Sequence, residues 1–153
     1  MDKKEFLKEA KELIECCETV YLGTYNETYD SGESRAMANM RFSEKYPDNL
    51  ELFEEGDLSN FIITAVSTEK MDHFKTNKNV SLYYFCPKLY KSLTLFGKIE
   101  VLEDKTIKNK LWCDELKKYF RFGLEDPEYT VVKFIPTVAK FYNDKYEKHI
   151  IEL

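Results

Sequence analysis

The amino-terminal segment alternates apolar and polar residues with the period of an α-helix. Asp2, three residues before Glu5, has the spacing of a capping box, in which two side chains bond the free N–H groups of the first turn. The pattern predicts one amphipathic helix that begins just after Asp2. Its apolar positions are Phe6, Leu7, Ala10, Leu13, Ile14 and Cys17.

Two runs with the alternation of β-strands follow this helix. Val20 to Tyr25 is rich in β-forming residues, and the polar stretch from Asn26 to Ser34 predicts a hairpin turn. A second strand is predicted from Arg35 to Phe42, because its residue types alternate. One face of this strand would carry Ala36, Ala38, Met40 and Phe42, and the other Arg35, Met37, Asn39 and Arg41.

The middle of the chain predicts a buried strand that leads into a helix. A short strand is predicted from Leu50 to Phe53. Residues Asn60 to Val66 are almost all apolar, which is typical of a central strand. Ser67 or Thr68 is then expected to cap a helix that extends to about Asn77.

The rest of the chain is again mostly strand-like. A helix is predicted to begin after Asp104 and to continue through Leu116. Short strands with local connections indicate a mainly β, single-domain protein of residues 1–153, folded as an antiparallel barrel with flanking helices. The remaining strands are predicted at Val80–Phe85, Ser92–Leu102, Tyr129–Ile135 and Thr137–Tyr142, the last two separated by Pro136.

Composition narrows the classes of partner. The net charge of −5 disfavours extended binding to nucleic acids or to anionic membranes. The amino terminus is too charged for a signal peptide, and no segment approaches the roughly 20 apolar residues that span a bilayer. The four cysteines lack zinc-site spacing and are expected to be reduced thiols. A cytoplasmic protein is therefore expected.

Motifs of the common catalytic centres are missing from the chain. It contains no GxSxG, HExxH, P-loop or GxGxxG motif. His73 is expected at the surface or as a helix cap, and His149 in a solvated tail. The sequence thus leaves the catalytic residues unknown, and it predicts no metal site.

One strand–turn–helix unit has the residues of a phosphate cradle. A helix that begins after Thr64, Ser67 and Thr68 would offer N–H groups and hydroxyls to an anion, and Lys70 would add a charge. Arg35 on a neighbouring strand would add a bidentate guanidinium. Ordinary helix capping accounts for the same residues, so the pattern alone leaves both interpretations open.

Several short motifs occur in a characteristic order between about Glu5 and Tyr142. They are Gly23-Thr24 in the first strand, RAM at residues 35–37, FIIT followed by STEK, SLTLFGKIEVLED, Lys110-Leu111-Trp112 and FGLEDPEYTVVKFIP. This order and spacing resembles the FMN-binding split β-barrel proteins related to pyridoxamine 5′-phosphate oxidase. The similarity is greatest to the general-stress-protein-like and nitroimidazole-reductase-like branches.

The resemblance implies an FMN cofactor at a homodimer interface, with ligands from both subunits. It places Arg35 and Lys70 at the phosphate and Thr64 at the ring or the ribityl chain. The remaining site residues that it implies are Ser67 and Thr68 at the helix start, the backbone at Ala36 and Met37 with Asn39 along the isoalloxazine edge, and Ser92 from the partner subunit.

Two departures from the family pattern bear on activity. Thr68-Glu69-Lys70 stands where Ser-Arg-Lys is common in the oxidases, and Ser92 stands where they carry Gln. An Arg- and His-rich carboxyl-terminal segment that would hold pyridoxine 5′-phosphate is also expected to be missing. True pyridoxamine 5′-phosphate oxidase activity is therefore not expected.

Three functions remain open at this point. The first is an FMN-dependent oxidoreductase or reductase of an unidentified small molecule, with a nicotinamide electron donor. The second is a flavin-binding stress-response module without turnover. The third is a split barrel that binds another cofactor, such as haem or a deazaflavin.

Overall fold

The computed structural model describes residues 1–153 as one sheet of seven antiparallel strands with three helices around it. Short 3-10 segments lie at Pro47–Leu52, Asp114–Lys118 and Gly123–Glu125. The helices are α1 (Lys3–Cys16), α2 (Glu69–Thr76) and α3 (Lys105–Leu111). The strands are β1 (Thr19–Asn26), β2 (Ser31–Ala38), β3 (Asn60–Ala65), β4 (Asn79–Cys86), β5 (Lys91–Val101), β6 (Tyr129–Tyr142) and β7 (Lys148–Glu152).

The sheet curls into a half-barrel. Its strand order is β2-β1-β4-β5-β6-β3, and β7 pairs with the second half of β6. The curl brings the two end strands, β2 and β3, into contact although they share no backbone hydrogen bonds. The predicted mainly β split barrel with flanking helices is confirmed.

Helix α1 closes one end of the main core. Its N-cap forms as predicted, because the Asp2 carboxylate accepts a 2.7 Å hydrogen bond from the Glu5 N–H. The apolar stripe that packs against the sheet consists of Phe6, Ala10, Leu13 and Ile14, all buried. The edge-on contact of Phe6 with Phe141 of β6, with ring centroids 6.0 Å apart, joins the helix to the sheet.

Strand β3 is buried for a reason other than the predicted central position. It pairs with β6 alone and ends the strand order, so the prediction of a central strand is wrong. A second apolar cluster covers it, and this cluster includes Phe61 of β3 together with Leu111, Phe120 and Tyr129. Trp112 packs edge-on against Tyr129 in the same cluster, at a centroid distance of 5.2 Å. Because loops and a helix cover β3, its residues are as apolar as those of a central strand.

The two carboxyl-terminal strands predicted around Pro136 form one continuous strand, β6. Proline lacks the N–H that a ladder needs, and a shift in the β5–β6 register next to Gly97 accommodates it. Gly97 lies opposite Pro136, and a Cβ atom at position 97 would lie 2.1 Å from the Ile135 carbonyl oxygen. Only glycine lets the two strands approach this closely.

Several other element boundaries differ from the predictions. The predicted strand at 50–53 lies within and just after the 3-10 segment Pro47–Leu52, and the helix predicted through Leu116 ends at Leu111. The strand predicted to reach Phe42 ends at Ala38. Strand β7, in the segment expected to be a solvated tail, was not predicted.

No helix of this structure is both long and apolar enough to cross a bilayer.

Candidate functional site

Two cations lie near each other where the α2 helix meets the end of the sheet. Arg35 lies opposite Leu22 in the β1–β2 ladder, and Lys70 belongs to the first turn of α2. Burial lowers the pKa of the Lys70 ammonium below its usual 10.5, and the positive charge of Arg35 lowers it further. Lys70 forms no ion pair with a carboxylate. A negatively charged group between the two cations would remove this repulsion.

Two threonine hydroxyls complete this group. The Lys70 Nζ donates to Thr64 Oγ1 at 2.9 Å, and Thr64 Oγ1 lies 3.1 Å from Thr68 Oγ1. Thr68 in turn donates to the Ala65 carbonyl oxygen at 2.8 Å. Together, Arg35, Thr64, Thr68 and Lys70 are called the cation cluster below. The structure thus brings four of the predicted site residues together within one chain.

The guanidinium of Arg35 is held in a fixed orientation. It donates to Thr24 Oγ1 at 2.7 Å and to the Leu22 carbonyl oxygen at 3.2 Å. Its other terminal nitrogen donates to Glu33 Oε2 at 2.6 Å. Hydrogen bonds from Arg35 and then from Asn26 lower the pKa of the Glu33 carboxyl. A ligand anion at Arg35 would compete with Glu33.

Ser67 lies just before the cation cluster in the chain. Its side chain is exposed, and its backbone N–H donates to the Glu128 carboxylate at 3.0 Å. A carboxylate at this position is stabilised by the α2 dipole. The Ser67 N–H at the start of the helix was predicted to bind a phosphate, but here it is already bonded to Glu128.

Ala36 and Met37 lie on the edge strand β2. Ala36 is exposed on the sheet face opposite to Arg35, and Met37 packs against the main core. Because β2 pairs only with β1, the backbone N–H and C=O groups along its other edge have no strand partner. These edge groups are what the predicted backbone contacts with an isoalloxazine ring would require.

Asn39 is placed apart from these residues, inside the protein. Its Nδ2 donates to the carbonyl oxygens of Ile14 and Cys17, each at 2.7 Å. Its Oδ1 accepts from the Arg41 N–H at 3.1 Å and from Asn60 Nδ2 at 2.8 Å. With no exposed area and every hydrogen-bonding position in use, Asn39 joins α1 to the end of β2.

Ser92 lies far from the cation cluster within one chain. It is half-buried near the start of β5 and pairs with Phe85 and Tyr142. Two strands, β1 and β4, separate β5 from β2. With about 4.8 Å between neighbouring strands, β2 and β5 are roughly 14 Å apart, too far for one ligand atom to contact both Arg35 and Ser92.

The sequence did not predict that three polar residues near Arg35, namely Thr24, Asn26 and His73, would belong to the site. His73 was expected at the surface or as a cap, but it is only 7% exposed, and its Nδ1 lies 2.7 Å from Thr24 Oγ1. Its Nε2 lies 3.4 Å from the Glu69 carboxylate. The available signal was in β1, where Thr24 and Asn26 continue the inward-facing series of Leu22 with polar side chains. Polar residues at inward positions near a strand end indicate a polar site.

Comparisons with known proteins agree with this fold. The chain is similar to a protein related to general stress protein 26 of Bacillus subtilis, from Clostridium acetobutylicum, with 27% identity and a TM-score of 0.78. That match covers 100% of this chain and 97% of the other. A NimC/NimA family protein of C. acetobutylicum matches with 19% identity and a TM-score of 0.68, over 99% of this chain and 94% of the other. No curated protein sequence matches.

Two further solved structures differ in their cofactors. A pyridoxamine 5′-phosphate oxidase-related, FMN-binding protein of Nostoc punctiforme matches with 10% identity and a TM-score of 0.62, over 97% of this chain and 93% of the other. A haem-binding protein of Mycobacterium smegmatis matches with 12% identity and a TM-score of 0.69, over 99% of this chain and 58% of the other. At these identities the likeness shows the fold alone.

The family model described as pyridoxamine 5′-phosphate oxidase like matches residues 5–153, almost the whole chain. The resemblance inferred from the order of short motifs is confirmed. The chain belongs to the pyridoxamine 5′-phosphate oxidase-like family.

Proposed function

We propose that this protein binds FMN through the cation cluster and uses it as an oxidoreductase of a small molecule. The observation that carries the proposal is the position of Lys70 near Arg35 without a carboxylate of its own. Two nearby cations with hydroxyl groups beside them suit a phosphate dianion. The FMN-binding relative of the same fold supports this choice of ligand.

The phosphate would take the place of internal partners that each cation now uses. At Lys70 it would accept a charge-assisted hydrogen bond beside the Thr64 and Thr68 hydroxyls. At Arg35 it would displace or share the Glu33 contact. Glu69, the residue that stands where the oxidases often have arginine, directs its carboxylate to His73 and adds no positive charge. Modest FMN affinity follows from these two carboxylates.

The isoalloxazine ring would lie along the free edge of β2, near the backbone of Ala36 and Met37. Its second side would be completed by Ser92 of a partner subunit, since Ser92 of the same chain is too distant. A homodimer is thus part of the proposal. The outer face of the sheet supports it, because Tyr21, Tyr83 and Phe96 are each between 38% and 43% exposed there.

The flavin supplies the electron-transfer chemistry when it is bound. This chain's residues would hold its phosphate and exclude water from the ring, and a nicotinamide would be the electron donor. A cytoplasmic location also belongs to the proposal, and the four free cysteines are consistent with it. The alternative, a flavin-binding module without turnover, would show flavin reduction by NAD(P)H no faster than that of free FMN.

Haem is the second candidate because a haem-binding protein shares the fold. An axial ligand would have to come from a histidine, cysteine, methionine or tyrosine. His73 is the buried histidine, and because it is only 7% exposed, a haem ring would have little free space beside it. The cation cluster therefore favours a flavin over haem. A Soret band in the purified protein would reverse this order.

The test is a titration of flavin-free protein with FMN, followed by quenching of flavin fluorescence. Arg35→Ala and Lys70→Ala should each weaken FMN binding by about tenfold or more, since each removes a charge-assisted hydrogen bond of about 1.5–3 kcal/mol. Riboflavin, which lacks the phosphate, should bind equally weakly to all three proteins.

Lys75→Ala is the matched control. Lys75 belongs to the same helix, its side chain is 77% exposed, and it pairs only with Asp72. It should bind FMN as tightly as the wild type. Equal loss of affinity in Lys75→Ala and Lys70→Ala would refute the cation cluster as the phosphate site.

A further inference from the structure

A group of possible metal ligands includes Glu33, the carboxylate that pairs with Arg35. Glu33 of β2 and Glu69 and His73 of α2 place one donor atom each within 4.8 Å of one another. Glu69 and His73 are four residues apart and therefore project from the same helix face. Two separate elements thus direct an imidazole and two carboxylates toward one point.

The distance within the helix pair matches metal coordination. Ligands about 2.1 Å from a tetrahedral zinc ion lie roughly 3.4 Å from one another. His73 Nε2 and Glu69 Oε1 are 3.4 Å apart. The Glu69 carboxylate is the partner that Nε2 faces, and His73 as a whole is only 7% exposed. A divalent ion between these atoms would satisfy both.

Hydrogen bonds from neighbouring side chains hold His73 and Glu33 in place, as such bonds do for the ligands of metal sites. The other ring nitrogen of His73, Nδ1, lies 2.7 Å from Thr24 Oγ1. With the ring proton on Nδ1, this contact directs the Nε2 lone pair toward Glu69, as the outer partner of a metal-binding histidine does. Arg35 and Asn26 each donate to one oxygen of Glu33. Because a carboxylate has about four lone-pair positions, these bonds orient Glu33 and leave it able to bind an ion.

From this geometry we propose that Glu33, Glu69 and His73 bind one divalent transition-metal ion, with Zn²⁺ as the reference ion. One nitrogen and two oxygen donors suit Zn²⁺, Mn²⁺ or Fe²⁺ rather than a thiolate-seeking ion. The three protein ligands leave at least one coordination position for water or another small ligand. No metal site was predicted from the two histidines, and Glu33 is 40 residues from His73 in the chain, so no local motif joins the three ligands.

The first experiment is a calorimetric titration of chelator-treated, flavin-free protein with Zn²⁺. It is made without flavin so that its outcome is independent of the FMN proposal. The wild type should bind one ion per chain. His73→Gln and Glu69→Gln should each lower the affinity at least tenfold, and Thr24→Val should lower it by about tenfold through its contact with His73. The Glu69 side chain is exposed, so Glu69→Gln should fold like the wild type. It therefore tests the site even where His73→Gln is poorly folded.

His149→Gln and Asp72→Asn are the matched controls. His149 is the second histidine of the chain, and Asp72 is an exposed carboxylate of α2. Both should bind Zn²⁺ like the wild type. No binding to the folded wild type, or equal binding by Glu69→Gln, would overturn the site.

The absorption spectrum with Co²⁺ identifies the donor atoms. Nitrogen and oxygen donors give weak visible bands without charge transfer from sulfur. A strong thiolate-to-cobalt band would place the ion at the cysteines instead and would also overturn the proposal.

Discussion

Lys70 is the residue whose environment is most informative about ligand charge. A half-buried ammonium group beside another cation is unfavourable, and here only a threonine hydroxyl offsets it. Binding of an anion between the two cations would remove this cost. The lowered pKa of Lys70 follows from the same two causes, burial and Arg35.

The lowered pKa predicts that FMN affinity falls at alkaline pH. Phosphate binding favours the charged lysine, so affinity is full below the pKa of Lys70 in the free protein and is lost as pH rises through it. Because that pKa lies below 10.5, the loss should begin at a lower pH than it would for an ordinary exposed lysine. Lys70→Arg keeps its charge as the lysine loses its proton and should show no such loss. Fluorescence titrations of both proteins at several pH values measure the difference.

Asn39 is expected to stabilise the fold rather than to bind flavin. Asn39→Ala leaves buried carbonyl groups of Ile14 and Cys17 without their side-chain donor, which should cost about 2 kcal/mol or more. Urea denaturation measures the free energy of unfolding. FMN affinity of the folded variant should equal that of the wild type. A large loss of FMN affinity with unchanged stability would return Asn39 to the cofactor site.

At the scale of elements, the β5–β6 pairing depends on one glycine. β6 pairs with β5 along most of its length, with β3 in its first half and with β7 in its second half. It therefore connects the two apolar clusters. The register shift beside Pro136 is where this long pairing is most constrained.

Gly97→Ala should destabilise the protein by about 1–3 kcal/mol or more, because the new methyl group would overlap the Ile135 carbonyl. The matched control is Gly32→Ala on β2, where a Cβ has no atom within 4 Å. Thermal denaturation should show a clear loss for the first variant and little change for the second. Equal melting temperatures would mean that β5 and β6 can separate at this point without cost.

At the scale of the whole molecule, the half-barrel exposes one aromatic sheet face. Tyr21 and Tyr83 contact each other there, with ring centroids 6.3 Å apart. Beside them, Gly23, Ser81 and Gly97 line a hollow of about 520 Å³. Exposed aromatic side chains grouped on one sheet face are typical of a protein–protein interface.

Tyr83→Lys should therefore convert the proposed dimer into a monomer, measured by light scattering at micromolar concentration. FMN affinity should fall with it, because Ser92 of the partner subunit would be lost. Tyr29→Lys is the control, since Tyr29 is 77% exposed in the turn between β1 and β2. A wild type that is monomeric and still binds FMN would refute the two-subunit site.

Local sequence patterns were sufficient to predict most elements, because the periodicity of apolar residues and helix caps are short-range features. The α1 cap at Asp2, the helix start after Thr68 and the strands β1, β4 and β5 all follow from neighbouring residues. The motif order was sufficient to indicate the family, since spacing along the chain is itself a sequence property. The juxtaposition of Arg35 with Thr64 and Lys70 was predicted through that resemblance.

Tertiary structure alone decided what depends on distant contacts. Strand β3 is apolar because a second cluster covers it, and no pattern within residues 60–65 distinguishes that cover from a central position. His73 is buried because Thr24, 49 residues earlier, faces it across the sheet end. Asn39 is internal because α1 and β3 supply its partners. Burial and pairing are properties of the space between elements, and the sequence of one element does not specify them.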